Sequence, residues 1–163
     1  MSKSLEHALL LLEKADEDLL TMRELIKAAR CPQAAFGFHA QQTAEKSIKA
    51  VLTSRAIRFP WPHDLSLLID LLVDAGIPGP PDARDLPSLT PFAAEFRYGR
   101  LPREGVGATT LDPHQMLAWG SRTRPVGGAF GGGAESLLTA WPGTPKVRQV
   151  LAGHSPHDCG SDG

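Results

Sequence analysis

Cysteine is nearly missing from this chain of 163 residues: Cys31 and Cys159 are the only two, far apart and in no C-x-x-C pair. A disulfide framework and a cysteine-based zinc site are both poorly supported. Neither sign of charge is in excess. The 17 basic and 18 acidic residues leave a formal charge of −1. A broad nucleic-acid footprint or an electrostatic membrane anchor calls for a basic surplus, so only a local basic site remains open. Long apolar runs are absent as well. The longest leucine run, Leu9 to Leu12, is followed at once by Glu13, far short of the roughly 18 residues of a membrane span. The opening Met1-Ser-Lys-Ser-Leu-Glu has no signal-peptide apolar segment. The expectation is a soluble cytoplasmic protein of one domain, or a smaller domain with a tail. A chain of this size can bury a core without covalent staples.

Composition divides the chain near residue 105. Residues 105–163 hold eight of the 35 charged residues but 12 of the 16 glycines, and five prolines. Glycine and proline at that density indicate low complexity or disorder. The expected organisation is a helical domain over 1–104 and a Gly/Pro-rich tail over 105–163, helical only near 112–119. The abrupt loss of helical pattern after Trp119 raises a change of reading frame near residues 115–125 as one explanation.

The first part reads as helices. Ala8, Leu11, Leu12, Ala15, Leu19, Met22, Ile26 and Ala29 form one stripe at helical steps between Ser4 and Ala29. A second helix is predicted from about Pro32 to Arg55, burying Phe36, Ala40, Ala44, Ile48, Val51 and Leu52. The prolines of Arg58-Phe-Pro-Trp-Pro break it. A third begins at His63-Asp64, with Asp64 as N-cap and Gly76 as the residue past its end. A fourth is expected over Leu89–Tyr98, capped by Thr90, and a last helical start at Asp112-Pro113, interrupted by Gly120. Short connections make this an all-α antiparallel up-and-down bundle of four to five helices, with an irregular Gly/Pro-rich C-terminal region.

On the second helix His39, Gln42, Glu45 and Lys49 share one face, with Lys46 beside them. Two readings of that face stand. It is a solvated surface laced with local pairs, Glu45 to Lys49 being the favourable orientation, or it is kept for a partner or ligand.

Three segments in order then resemble a known family. They are Gln42-Thr-Ala-Glu-Lys-Ser-Ile-Lys-Ala-Val-Leu, His63-Asp-Leu-Ser-Leu-Leu and Phe96-Arg-Tyr-Gly. They are similar to the HEPN domains (higher eukaryotes and prokaryotes nucleotide-binding) over roughly residues 4–103. Gly99 stands where proline is usual in the family, and the glycines from Gly127 onward replace its final helix. The resemblance implies a helical bundle, commonly dimeric, tied to nucleotides or RNA. It also implies a minimal nucleotidyltransferase as partner in toxin–antitoxin pairs. The ligand face it suggests is His39, Gln42, Lys46, Lys49, His63 and Arg97, with lysine and arginine gripping phosphate.

Ribonuclease members of the family carry Arg, four to six residues, then His. Arg58…His63 and Arg148…His154 fit by count, but about one such match is expected by chance. Arg58 and His63 are therefore weak catalytic candidates. Trp61 reads as a core or dimer anchor, or as a base-stacking platform. His154-Ser-Pro-His-Asp-Cys159 has metal-like spacing without a second cluster, so no metal is expected. The glycine cluster lacks the Gly-Lys-Ser/Thr of a P-loop, and no cofactor is expected. The leading expectation is a non-catalytic nucleotide- or RNA-binding homodimer beside a nucleotidyltransferase. The alternatives are a metal-independent endoribonuclease toxin and a purely structural interaction module.

Overall fold

The computed structural model describes residues 2–60, 63–93, 111–125 and 141. The protein is an all-α, four-helix up-and-down bundle, with no strand among the described residues. Helix α1 spans Lys3–Leu25, α2 Gln33–Ser54, α3 Leu65–Asp74 and α4 Pro113–Thr123. A short 3-10 helix, Leu86–Leu89, precedes Thr90.

Local chemistry sets most of the boundaries. The Ser2 hydroxyl accepts from Leu5 N and starts α1. The Asp64 carboxylate accepts from Ser66 N at 2.8 Å and starts α3. Asp112 does the same for His114 N ahead of Pro113 in α4. Each supplies an acceptor for one of the unpaired N–H groups of a first turn.

Helices α2 and α3 stop by one device. Ile57 N donates to Leu52 O and Ala56 N to Thr53 O, while Ile77 N donates to Leu72 O and Gly76 N to Val73 O. Both are Schellman closures, which place the residue past the helix in the left-handed region. Gly76 takes φ +69 there without a Cβ penalty, whereas Ala56 takes φ +54 with one. Ala56→Gly is therefore expected to stabilise the fold. The gain should be about 0.5 kcal/mol once glycine's extra unfolded-state entropy is subtracted. A urea titration that shows a loss would mean that the Ala56 methyl has a packing role.

Helix α2 is central and touches every other element. None of its 22 residues is fully exposed. Phe36, Ala40, Ala44, Ile48 and Leu52 face a core shared with Leu19 and Met22 of α1, Leu65, Leu68 and Leu72 of α3, and Met116 and Trp119 of α4. Each large apolar side chain fully removed from water contributes about 1.5–3 kcal/mol. A smaller cluster of Ala8, Leu12 and Ala50 closes one end of the α1–α2 contact.

Three sequence expectations are corrected. The first helix ends at Leu25 and passes into turns over 26–30, short of Ala29. The helix expected over Leu89–Tyr98 starts later than Leu89. Leu86–Leu89 is 3-10, helical residues resume at Phe92 and Ala93, and Ala93 N donates to Thr90 O at 3.1 Å; Thr90 has helical angles of its own, so its side chain is not the cap. Its hydroxyl instead accepts from Leu65 N at 3.2 Å and serves the start of α3. The part of that expected helix over 94–98 lies outside the described residues.

Gly120 does not interrupt α4. The helix runs through it to Thr123, because the last turn is tied down on several sides. Thr123 Oγ1 donates to Trp119 O at 2.7 Å. Arg122 grips Asp82 through Nε and Nη2 at 2.8 and 2.9 Å, and Arg124 grips Asp16 at 2.6 and 2.8 Å. These ties and the burial of Met116 and Trp119 outweigh the roughly 1 kcal/mol that a helical glycine costs. The helix thus continues past Trp119 to Thr123. Trp141, from the Gly/Pro-rich part of the chain, is buried, and its indole N–H donates to Thr123 O at 2.8 Å. Expectations for 126–140 and 142–163 lie outside the described residues.

Candidate functional site

The polar side of α2 is built around two carboxylates. The first is Asp18 of α1, nearly buried although it carries a charge. Its Oδ1 lies 2.8 Å from His39 Nδ1, and its Oδ2 accepts from Lys46 Nζ. The second is Glu45 of α2, at 4% relative exposure. Lys49 Nζ donates to its Oε1 at 2.6 Å, and Gln41 Nε2 to its Oε2 at 2.6 Å. His63 Nδ1 lies 3.0 Å from both oxygens. Gln41 also donates to the His63 carbonyl at 3.3 Å, which fastens the entry of α3 to α2. Gln42 Nε2 donates to Gln41 Oε1 at 2.7 Å and joins the second network.

Burial alone would push the Glu45 carboxyl up. Hydrogen bonds from Lys49, Gln41 and His63 and the nearby lysine charge outweigh burial, so it titrates below its ordinary value of 4.5. This is the usual result when a carboxylate gains several donors. Lys49 is held from a second direction as well. Its ammonium sits 5.2 Å from the centre of the Phe59 ring, within cation–π range.

The structure therefore brings His39, Gln42, Lys46, Lys49 and His63 together along one strip of α2 and the start of α3. Each is partly covered. The favourable Glu45–Lys49 pair expected from the sequence is present. Arg58 is exposed, and among the described residues no hydrogen bond joins it to His63. Arg97, Trp61, Arg148, His154 and Cys159 lie outside the described residues. Asp18 is the functional residue that the sequence reading missed. Its signal was positional: it falls three residues after Ala15 and four before Met22, inside the buried stripe of α1. A charge at such a position needs a cation on the neighbouring helix.

The order of these parts is the decisive observation. A helix carrying Gln, Glu, Lys and Lys lies across a His-Asp-Leu helix start. The HEPN domain model matches residues 8–114. The chain belongs to the HEPN domain family. The match covers α1 to the start of α4, and so contains both carboxylate networks. No curated protein and no solved structure matches this HEPN chain. Among the described residues no three His, Cys, Asp or Glu side chains converge as a metal site requires. No helix among them is long and apolar enough to cross a membrane.

Both histidines of this HEPN domain are held alike. Nδ1 faces a buried carboxylate, which fixes the ring and leaves Nε2 for other partners. The His63 side chain is 42% exposed and that of His39 23%. Each lysine keeps donors beyond its carboxylate bond. The strip can thus offer two oriented imidazoles, two ammonium groups and one amide. Its two lysine charges are already balanced by Asp18 and Glu45.

Proposed function

We propose that this HEPN domain is a non-catalytic module that binds a nucleotide or RNA. It works in the cytoplasm as a homodimer beside a nucleotidyltransferase-type protein in a toxin–antitoxin-type pair. The ligand lies along His39, Gln42, Lys46, Lys49 and His63, with Arg97 as a further phosphate contact. One observation carries this reading: the two carboxylate networks hold all five described groups on one partly covered strip. Donors held in place before binding lose little freedom on meeting phosphate. Leu9, Leu10 and Leu20 remain exposed on α1 and offer an apolar surface for a protein partner.

The test is a binding titration combined with thermal shift, using nucleotides and short RNAs. A ligand that binds only the folded form raises the melting temperature by mass action. Lys46→Ala with Lys49→Ala is expected to weaken binding by roughly tenfold or more, and affinity is expected to fall with salt. Both lysines also pair with buried carboxylates, so binding must be measured well below the variant's own melting temperature. Unchanged affinity in the folded double variant would end the ligand-face reading.

The endoribonuclease reading has one observation in its favour. Glu45 orients His63 as a carboxylate orients a general base. Arg58 lies in the loop just before it. Loss of RNA during the titration, abolished by His63→Ala, would favour catalysis over binding alone.

A further inference from the structure

The lysines of the strip are poor sources of net positive charge. Lys46 is bound to Asp18 and Lys49 to Glu45, so two positive charges face two negative ones. The remaining groups of the strip that can change charge are His39 and His63. We propose that the α2 strip is a proton-gated anion site, near neutral when both imidazoles are uncharged and doubly positive when both are protonated. The proposal rests on the binding reading above and adds its regulation.

Among the described residues, each imidazole meets the following charged groups. His39 meets Asp18 from α1 and has Lys46 on its own helix, bound to the same carboxylate. His63 meets Glu45 from α2, and Lys49 shares that carboxylate. Asp64, next in sequence, caps Ser66 N. From α4, Arg122 and Arg124 are engaged by Asp82 and Asp16. Arg58 in the loop is exposed, and its charge does not change with pH.

Each imidazole is partly open, so a proton at Nε2 can meet a ligand while Nδ1 stays on its carboxylate. Protonation then strengthens the internal contact and adds one positive charge to the strip. Glu45 is held below its ordinary value and stays ionised across this range. The gate is legible only in three dimensions, because Asp18 comes from another helix.

Fluorescence anisotropy of the full chain with fluorescein-labelled poly(U) RNA tests this. Its phosphodiester charges do not change between about pH 5.5 and about pH 8, so a pH effect reports on the protein across the range where histidines titrate. Binding is expected to be about tenfold tighter at the lower pH. The slope of log K against log salt should steepen by about 0.7 for each histidine that becomes charged. His39→Gln with His63→Gln keeps a donor for each carboxylate. It should bind at the high-pH level at both pH values. Each single variant should lose about half of the added slope, which keeps the test open should the double variant not fold. Equal wild-type affinity at both pH values, or a double variant that keeps the full response, would overturn the gate and leave the binding reading standing. Absence of poly(U) binding at either pH would overturn the gate together with the RNA form of the binding reading.

Discussion

Glu45→Ala is expected to cost the fold about 3 kcal/mol, because it removes one partner from a buried charged network. The Lys49 side chain is 13% exposed and, among the described residues, would keep the Phe59 ring alone. The fully buried Gln41 amide would lose its 2.6 Å acceptor and rely on the longer bond to the His63 carbonyl. His63 would lose the carboxylate that orients it. Urea unfolding should show the loss as a shifted midpoint at unchanged slope. A loss below about 1 kcal/mol would mean that the network sets geometry and adds no net stability. Glu45→Gln should cost less, since an amide oxygen can still accept from Lys49.

The same site makes stability fall in acid. The Glu45 carboxyl is depressed in the folded state, so its contribution is fully present above its unfolded value of 4.5. It is lost as pH falls through the lower folded value. Wild type should therefore lose more stability than Glu45→Gln on passing from about pH 5 to about pH 3, which shrinks the gap between them.

Much of the fold was legible because helices repeat locally. Every apolar residue assigned to the buried face of the second helix, from Phe36 to Leu52, is buried. Asp64 and Gly76 do what their types and positions suggest. The failures share a cause: tertiary contacts override local preference. Gly120 is a weak helix former, yet paired arginines and a buried tryptophan hold its helix together. Thr90 has the chemistry of a cap and serves a different helix. Alanine at position 56 gives no turn signal, yet it occupies the same left-handed position as Gly76.

The candidate site was half legible. Helical spacing placed His39, Gln42, Glu45 and Lys49 on one face, and the Glu45–Lys49 pair follows from four-residue spacing. The partner of His39 and Lys46 did not, since Asp18 lies on a different helix and only the fold joins them. That missing residue changes the electrostatics. Seen from the sequence, Lys46 has no partner; in the structure Asp18 balances it.

Gly37→Ala is the other substitution expected to be severe, at about 3 kcal/mol, through overpacking. An added Cβ would fall 2.3 Å from Phe92 Cδ1, 2.5 Å from Cε1 and 2.6 Å from Cγ. Cγ is the root of the ring, so rotating the ring gives no relief. Phe92 is nearly buried and follows Thr90 closely, so displacing it strains the bond that Thr90 makes to the start of α3. The contact joins residues far apart in sequence, which is why nothing in local spacing marks Gly37. A double-mutant cycle isolates the clash. In a Phe92→Ala background the ring is gone, and Gly37→Ala should become neutral or stabilising by up to about 1 kcal/mol through helix propensity. If the alanine costs the same with and without Phe92, the glycine is needed for another reason and the close approach of Phe92 to α2 does not explain it.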